Sequence, residues 1–204
     1  LSRTIRSCRA TMHSDLATLK EPQLSTYYCF KHKKICKPLL SMKSWFDRYA
    51  TDTVNRLKVF SKLKKNVYFS TISADSRVVD IFKEVDKRNN KFYQLLQKQK
   101  IKGIFTSPPY VGQIDYHEQH AYAYDLFGFK RKDELEIGPL YKGQGLVAQA
   151  SYMEGISNVL LNSKKYLAND YDIFIVANDK YNLYPRIANK SGMKIVNMYK
   201  RPVL

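Results

Sequence analysis

The chain has 204 residues, of which 44% are hydrophobic, and this composition excludes an intrinsically disordered chain. Lysine and arginine outnumber aspartate and glutamate by 35 to 18, a formal net charge of +17, which indicates a polyanionic partner rather than a neutral one. Its longest apolar runs have the length of strands and no signal peptide is recognisable, so we expect no membrane partner and reduced thiols.

Residues 1–37 form an irregular, basic segment that contains all three cysteines. Cys29, His32 and Cys36 are separated by two and three residues, and Cys8 lies upstream. Three thiolates and one imidazole can complete a tetrahedral zinc site, so these four residues are zinc candidates. Their spacing is not one of the strong double-Cys patterns, and ordinary thiols on a segment that contacts phosphates remain the alternative.

From Pro38 onward, helical and strand patterns alternate. Apolar residues at three- and four-residue spacings predict an amphipathic helix from Pro38 to about residue 63. β-Branched, aromatic and apolar runs predict strands at Val67–Ser73, Lys102–Phe105, Asp172–Ala177 and Met193–Tyr199. Further helices are predicted from about residue 78, over 92–98, over 114–129, over 151–167 and over 183–190. This order predicts an α/β fold built on a layered sheet.

The segment Thr106-Ser107-Pro108-Pro109-Tyr110 leaves a predicted strand at its carboxyl end, where α/β sheets bind ligands. Two consecutive prolines fix two φ angles and remove two N–H donors, so the backbone offers only carbonyl acceptors. A rigid loop of acceptors suits the binding of an exocyclic amine, with Tyr110 stacked on the ring that bears it. Pro-Pro-Tyr also occurs in disordered ligands of small aromatic-grooved domains, but those lack a preceding hydrophobic strand.

This loop resembles the target-base motif of DNA amino-methyltransferases, Ser/Asp/Asn-Pro-Pro-aromatic, and the resemblance extends over about residues 67–204. It implies S-adenosylmethionine-dependent methylation of a base amine in double-stranded DNA, as in restriction–modification systems. The serine form favours N4-cytosine over N6-adenine. The implied catalytic residues are Ser107, Pro108, Pro109 and Tyr110, where Tyr110 packs against a base flipped out of the duplex.

The same resemblance implies a partial Rossmann-like methyltransferase sheet with flanking helices in residues 66–204. It follows an irregular and helical extension over residues 1–65. We expect a cytoplasmic protein associated with the nucleoid of a bacterium or archaeon. An RNA amino-methyltransferase is the nearest alternative, and a non-catalytic nucleic-acid-binding subunit is the alternative from another class.

Asp75 and Thr106 are the residues that the resemblance places at the cofactor. Asp75 follows the predicted strand Val67–Ser73, where the family has an acceptor for the cofactor's adenine amine, and a helix N-cap is its alternative role. The family's Phe-x-Gly-x-Gly loop and ribose-binding carboxylate are not found in this sequence. We therefore expect a C-terminal part, in keeping with the start at Leu1, that binds the cofactor weakly. It would need an N-terminal cofactor-binding half, in the same polypeptide or as a separate subunit.

Residues 111–150 leave the motif and are the first candidate for reading the DNA sequence, with residues 1–65 as the alternative. Polar and basic side chains there can reach bases or phosphates. The candidate DNA-binding residues are Gln113, Tyr116, His117, His120, Lys130 and Arg131. An ordinary surface or helix-packing role for the histidines stays open.

Overall fold

The computed structural model describes Thr4, Ser7, residues 25–30, 32–37 and 41–200. The chain folds into two compact units. The first comprises the described residues up to Val67 together with His117–Arg131, and the second comprises Tyr68–Tyr116 and the described residues from Lys132 onward. The predicted boundary between residues 65 and 66 stays a prediction. No helix in the described ranges combines the length and apolar character needed to span a bilayer.

Helices and short strands alternate along the chain. The strands are β1 Tyr27–Cys29, β2 Lys34–Cys36, β3 Ile101–Thr106 and β4 Leu167–Ile175. The helices are α1 Met42–Leu63, α2 Ile81–Asp86, α3 Asn90–Gln99, α4 Tyr116–Gln119, α5 Ala121–Phe127, α6 Leu146–Lys164 and α7 Tyr184–Lys190. Two single 3-10 turns, Asp133–Leu135 and Leu140–Lys142, precede α6.

In the first unit, β1 and β2 form an antiparallel hairpin and α1 is the long helix. Ser41 caps α1 because its hydroxyl accepts a hydrogen bond from the Ser44 N–H at 3.3 Å. The helix predicted from Pro38 is confirmed from Met42 onward, whereas Pro38 itself lies outside the described residues. No side chain of α1 is fully buried, so the helix makes little core of its own.

In the second unit, β3 and β4 pair in parallel, with Phe105 opposite Phe174 and Thr106 opposite Ile175. One face of this two-stranded sheet packs on α6 and α7. The core there consists of Val111, Tyr152, Ile156, Leu160, Leu183 and Ile187, with Ile173 and Ile175 of the sheet packed against it. The other face carries Phe105 and Phe174, which are 80% and 62% exposed. The described sheet is therefore covered on one side only.

The strands predicted at Val67–Ser73 and Met193–Tyr199 are wrong for the described structure, because neither segment forms a strand. A strand needs a neighbour for its backbone hydrogen bonds, and neither segment has one here. Several of their apolar side chains stay in solvent, with Phe69 76% and Val196 79% exposed. The mixed helix and strand content and the small parallel sheet agree with an α/β fold, and the Rossmann-like character stays a prediction.

The helix predictions need smaller corrections. The predicted helix over residues 114–129 is divided at His120 into α4 and α5. α2 begins at Ile81 rather than near Val78, because the Asp80 carboxylate accepts from the Lys83 N–H at 3.0 Å and caps the helix. Asn89 caps α3 in the same way through the Phe92 N–H. α6 and α7 are confirmed, and α6 starts five residues earlier than expected, at Leu146 rather than Ser151.

Candidate functional site

The parallel pairing of β3 and β4 brings their carboxyl ends together in the second unit. β3 leads into Ser107–Tyr110, and β4 leads into the segment that begins at Val176. The Val176 N–H donates to the Thr106 carbonyl at 2.9 Å, and the Ser107 hydroxyl donates to the Val176 carbonyl at 3.0 Å. The predicted ligand-binding edge of the sheet therefore carries the Ser-Pro-Pro-Tyr loop beside the segment that follows β4.

The Ser107 hydroxyl is a hydrogen-bond acceptor toward solvent. A serine hydroxyl has one proton and two acceptor lone pairs, and the Val176 carbonyl takes that proton. Ser107 is exposed, so its remaining lone pairs can accept from an incoming N–H donor. This arrangement suits a substrate amine and does not suit a substrate carbonyl, because Oγ has no second proton to donate.

The carbonyls of the loop are not equivalent. The Thr106 carbonyl accepts from the Val176 N–H, and the Pro109 carbonyl accepts from the Tyr152 hydroxyl at 2.9 Å. Among the described residues, no N–H or O–H donates to the Pro108 carbonyl or to the Ser107 backbone carbonyl. Ser107 Oγ and the Pro108 carbonyl are therefore among the neighbouring acceptors that remain for a ligand, together with the Ser107 carbonyl.

Two tyrosines support the loop, of which Tyr152 is buried and Tyr184 is half-buried. Tyr152 lies on α6 and is 3% exposed, and its hydroxyl lies 2.9 Å from the Tyr184 hydroxyl at the start of α7. Because Tyr152 uses its only proton on the Pro109 carbonyl, Tyr184 must donate to Tyr152. Burial raises the pKa of both hydroxyls, so both stay protonated at neutral pH.

A tight glycine contact fixes the chain that leaves the loop. Gly112 has φ +58, its N–H donates to the Gly138 carbonyl at 3.0 Å, and a Cβ on it would lie 2.2 Å from the Gly143 carbonyl oxygen. The Gln144 side-chain amide donates to the Gly112 carbonyl at 3.1 Å, and the Tyr181 hydroxyl donates to the Gln144 side-chain oxygen. Only glycine allows this approach at position 112.

A small cleft opens beside these residues. Its lining residues are Val111, Gln113, Tyr152, Asn178, Asp179, Lys180, Tyr181, Leu183 and Tyr184. The Asp179 carboxylate accepts from the Leu183 and Tyr184 N–H groups, at 2.7 and 3.1 Å, and so fixes the start of α7. The residues predicted for the site from the sequence did not include Asp179, Tyr152 or Tyr184.

Asp75, the predicted cofactor ligand, is paired with Arg77. Its two carboxylate oxygens accept from the Arg77 backbone N–H and guanidinium, with the closest contact at 2.7 Å. These hydrogen bonds lower the pKa of Asp75 below its usual range. A cofactor amine would have to share these oxygens with Arg77, and the cofactor role of Asp75 and Thr106 stays a prediction. The alternative N-cap role is wrong, because Asp80 caps α2.

One curated protein matches over the whole chain. All 204 residues align, at 57% identity, with the Type II methyltransferase M.MjaII of Methanocaldococcus jannaschii. The chain is similar to a Type II methyltransferase. It spans 38% of the length of M.MjaII. No protein-family model and no solved structure matches the chain.

The predicted DNA-binding residues belong to different units. Gln113 and Tyr116 lie in the second unit and are exposed, and the other four lie in the first. In the first unit, the His117 ring is hydrogen-bonded to the Tyr124 hydroxyl, which agrees with helix packing. His120 is half-buried and Lys130 is exposed. Arg131 is half-buried and forms an ion pair with Glu118 at 3.1 Å. Their contact with DNA stays a prediction.

Three of the four zinc candidates come together in the first unit. One ligand atom from each of Cys29, His32 and Cys36 lies within 4.8 Å of the others. Cys8 lies outside the described residues. Both described cysteines are free thiols, with Cys29 buried and Cys36 partly buried.

Proposed function

We propose that this chain is the target-base-binding part of an S-adenosylmethionine-dependent DNA methyltransferase of a restriction–modification system, which methylates an exocyclic base amine. The observation that carries the proposal is the Ser107 hydroxyl, whose proton is held by the Val176 carbonyl. Its oxygen therefore faces solvent as an acceptor beside the Pro108 carbonyl. The 57% identity to a Type II methyltransferase supports the same reaction class.

In this proposal the loop orients the substrate and the cofactor supplies the methyl group. An exocyclic amine has two N–H bonds, which donate to Ser107 Oγ and to the Pro108 carbonyl. Hydrogen bonding in this geometry directs the nitrogen lone pair away from the loop, which is the direction from which a methyl group must approach. Tyr110, half-buried at the end of the loop, provides a ring against which a flipped base can stack.

Cytosine N4 is the proposed target atom. Ser107 is a neutral acceptor whose single proton is already used, whereas the form of the motif that favours adenine has an aspartate at this position. The +17 net charge agrees with a nucleic-acid substrate, and we propose double-stranded DNA.

The described residues do not fit a complete cofactor site. The Asp75 oxygens are engaged by Arg77. We therefore propose that most of the cofactor is held by another half of the enzyme, in the same polypeptide or in a separate subunit. The uncovered sheet face around Phe105 and Phe174 and the greater length of M.MjaII support this division. The 204 residues alone would then bind the cofactor weakly and show no turnover.

The test is the variant Ser107→Ala. It is made in the complete polypeptide that contains this chain or, if the other half is a separate subunit, in the assembled complex. Transfer of a labelled methyl group to duplex DNA should fall roughly hundredfold or more, as when one preorganised hydrogen bond to a reacting group is lost. Ser151→Ala on the exposed surface of α6 is the matched control and should keep full activity.

Nucleoside analysis of the methylated product separates N4-methylcytosine from N6-methyladenine. An unchanged rate for Ser107→Ala would show that the loop is only structural and would favour a non-catalytic nucleic-acid-binding subunit. Preferential methylation of RNA over duplex DNA would favour the RNA enzyme. Full activity of the 204-residue chain by itself would contradict the proposed second half.

A further inference from the structure

The β1–β2 hairpin places two thiols on one face. Tyr27 pairs with Cys36 and Cys29 pairs with Lys34, so Cys29 and Cys36 stand diagonally across the two strands. Side chains of paired residues, and of residues two apart along a strand, share a face of the sheet. His32 belongs to the turn between the strands, where its ring reaches the same face. Three potential metal ligands thus converge within one hairpin, where His32 is three positions after Cys29 and four before Cys36.

The separations suit a tetrahedral ion. His32 Nδ1 lies 3.6 Å from Cys36 Sγ, and all three ligand atoms lie within 4.8 Å of one another. With zinc–sulfur and zinc–nitrogen bonds of about 2.3 and 2.05 Å, tetrahedral geometry requires a sulfur–nitrogen separation of about 3.6 Å. A thiol–imidazole hydrogen bond could explain this one distance, but it would not require the second thiol beside the pair.

The hairpin is short, and one of its faces is exposed. Each strand has three residues, and an isolated two-stranded hairpin is only marginally stable in water. The face opposite the thiols is exposed, with Ile35 65% and Phe30 84% accessible. Lys33 in the turn has φ +53, an unfavourable conformation for a residue with a side chain. A metal ion that joins both strands to the turn would add to the stability of the hairpin.

We propose that Cys29, His32 and Cys36 bind a structural zinc ion that clamps the β1–β2 hairpin. The described residues supply three ligands, and the fourth position is left to water or to a ligand outside the described residues. The ion would fix the backbone that displays Lys33, Lys34 and Lys37, all exposed and basic. This role is independent of the proposed methyl transfer, since it rests on the first unit alone.

The test measures zinc in the purified 204-residue chain by elemental analysis after expression in zinc-supplemented medium. The wild-type chain should hold one equivalent, and Cys29→Ser and Cys36→Ser should each lose most of it. Ile35→Ser is the matched control, because it introduces the same residue next to Cys36 on the opposite face, and it should retain the metal. Loss of zinc in Cys8→Ser would identify the fourth ligand, and retention would support water there.

A second measurement needs no variant. Cobalt(II) added to the metal-free wild-type chain should give the strong near-ultraviolet absorption of thiolate-to-cobalt charge transfer, and zinc should abolish it. A chelator should expose the lysines of the hairpin to trypsin, and added zinc should restore protection. The proposal fails if the wild-type chain takes up neither metal, or if Ile35→Ser loses zinc as completely as the two cysteine variants.

Discussion

At the residue scale, two tyrosine hydroxyls support the Pro-Pro loop, and each has one proton to donate. Tyr152 donates to the Pro109 carbonyl, and Tyr184 donates to Tyr152. Tyr152→Phe should lower the free energy of unfolding by about 1–2 kcal/mol, because it leaves a carbonyl without its donor. Tyr184→Phe should cost less, because Tyr152 keeps its donation to Pro109. Urea unfolding followed by fluorescence measures both, and equal losses would contradict the assigned direction of the bonds.

The Tyr152–Tyr184 pair predicts that the free energy of unfolding depends on pH. Burial raises the pKa of Tyr152 and Tyr184 above the unfolded value of 10.0. A group with a raised folded pKa contributes stability that is complete below the unfolded pKa and is lost as the pH rises above it. The free energy of unfolding should therefore begin to fall as the pH rises above about 10. The fall should be smaller in the Tyr152→Phe/Tyr184→Phe double variant, and an identical fall would show that other groups cause it.

Substitution of Gly112 tests the close packing of its Cα against the Gly143 carbonyl behind the loop. Gly112→Ala combines a left-handed φ with a Cβ placed 2.2 Å from the Gly143 carbonyl oxygen, so the backbone must move. We expect a loss of about 3 kcal/mol or more in the free energy of unfolding. Gly128→Ala is the control, because Gly128 has φ +66 but open space around its Cβ position, and it should cost about 1 kcal/mol. Similar losses at both positions would mean that the contact with Gly143 is unimportant.

At the element scale, Asp179 joins the cleft to α7. Asp179→Ala removes the acceptor for the Leu183 and Tyr184 N–H groups and should cost about 1–2 kcal/mol in the free energy of unfolding. Asp179→Asn keeps one acceptor oxygen and should lose about half as much. Thermal unfolding followed by circular dichroism gives both values, and a loss-free alanine variant would contradict the capping role.

The element predictions succeeded where local sequence decides the outcome. α6 and α7 formed as expected, and the helix predicted over 92–98 is present as α3, which Asn89 caps. The strands at 67–73 and 193–199 failed for a non-local reason. Their composition favours strands, but a strand also needs a partner, and none of the described segments pairs with them.

The candidate site shows the same division between local and non-local information. The Ser-Pro-Pro-Tyr loop was predictable because two prolines after a strand constrain the backbone by themselves. Tyr152 and Tyr184 were not predictable, because tertiary packing brings Tyr152 to Pro109 across 43 residues and Tyr184 to Tyr152 across 32 residues. Asp75 was predicted to bind the cofactor from its position after a strand that does not form, and its pairing with Arg77 depends on a side-chain conformation that the sequence does not give.

At the scale of the whole molecule, the excess charge has no internal partner. Ion pairs such as Lys43–Asp47 and Arg131–Glu118 use some of the basic side chains. With 35 basic and 18 acidic residues, however, at least 35 − 18 = 17 basic residues cannot be matched one to one. This excess favours binding to a polyanion through the release of its condensed counterions.

Binding of the chain to duplex DNA should therefore depend steeply on salt. If about 6–10 phosphates are contacted, the association constant should fall roughly 10³- to 10⁵-fold between about 50 and 200 mM salt. Fluorescence anisotropy with a labelled duplex of arbitrary sequence measures the slope, and a duplex with an uncharged backbone is the control. A shallow slope, or equal binding of the uncharged duplex, would mean that the charge serves solubility rather than DNA binding. A steep slope without sequence preference would instead favour base recognition by the proposed second half, since phosphate contacts position a protein without reading sequence.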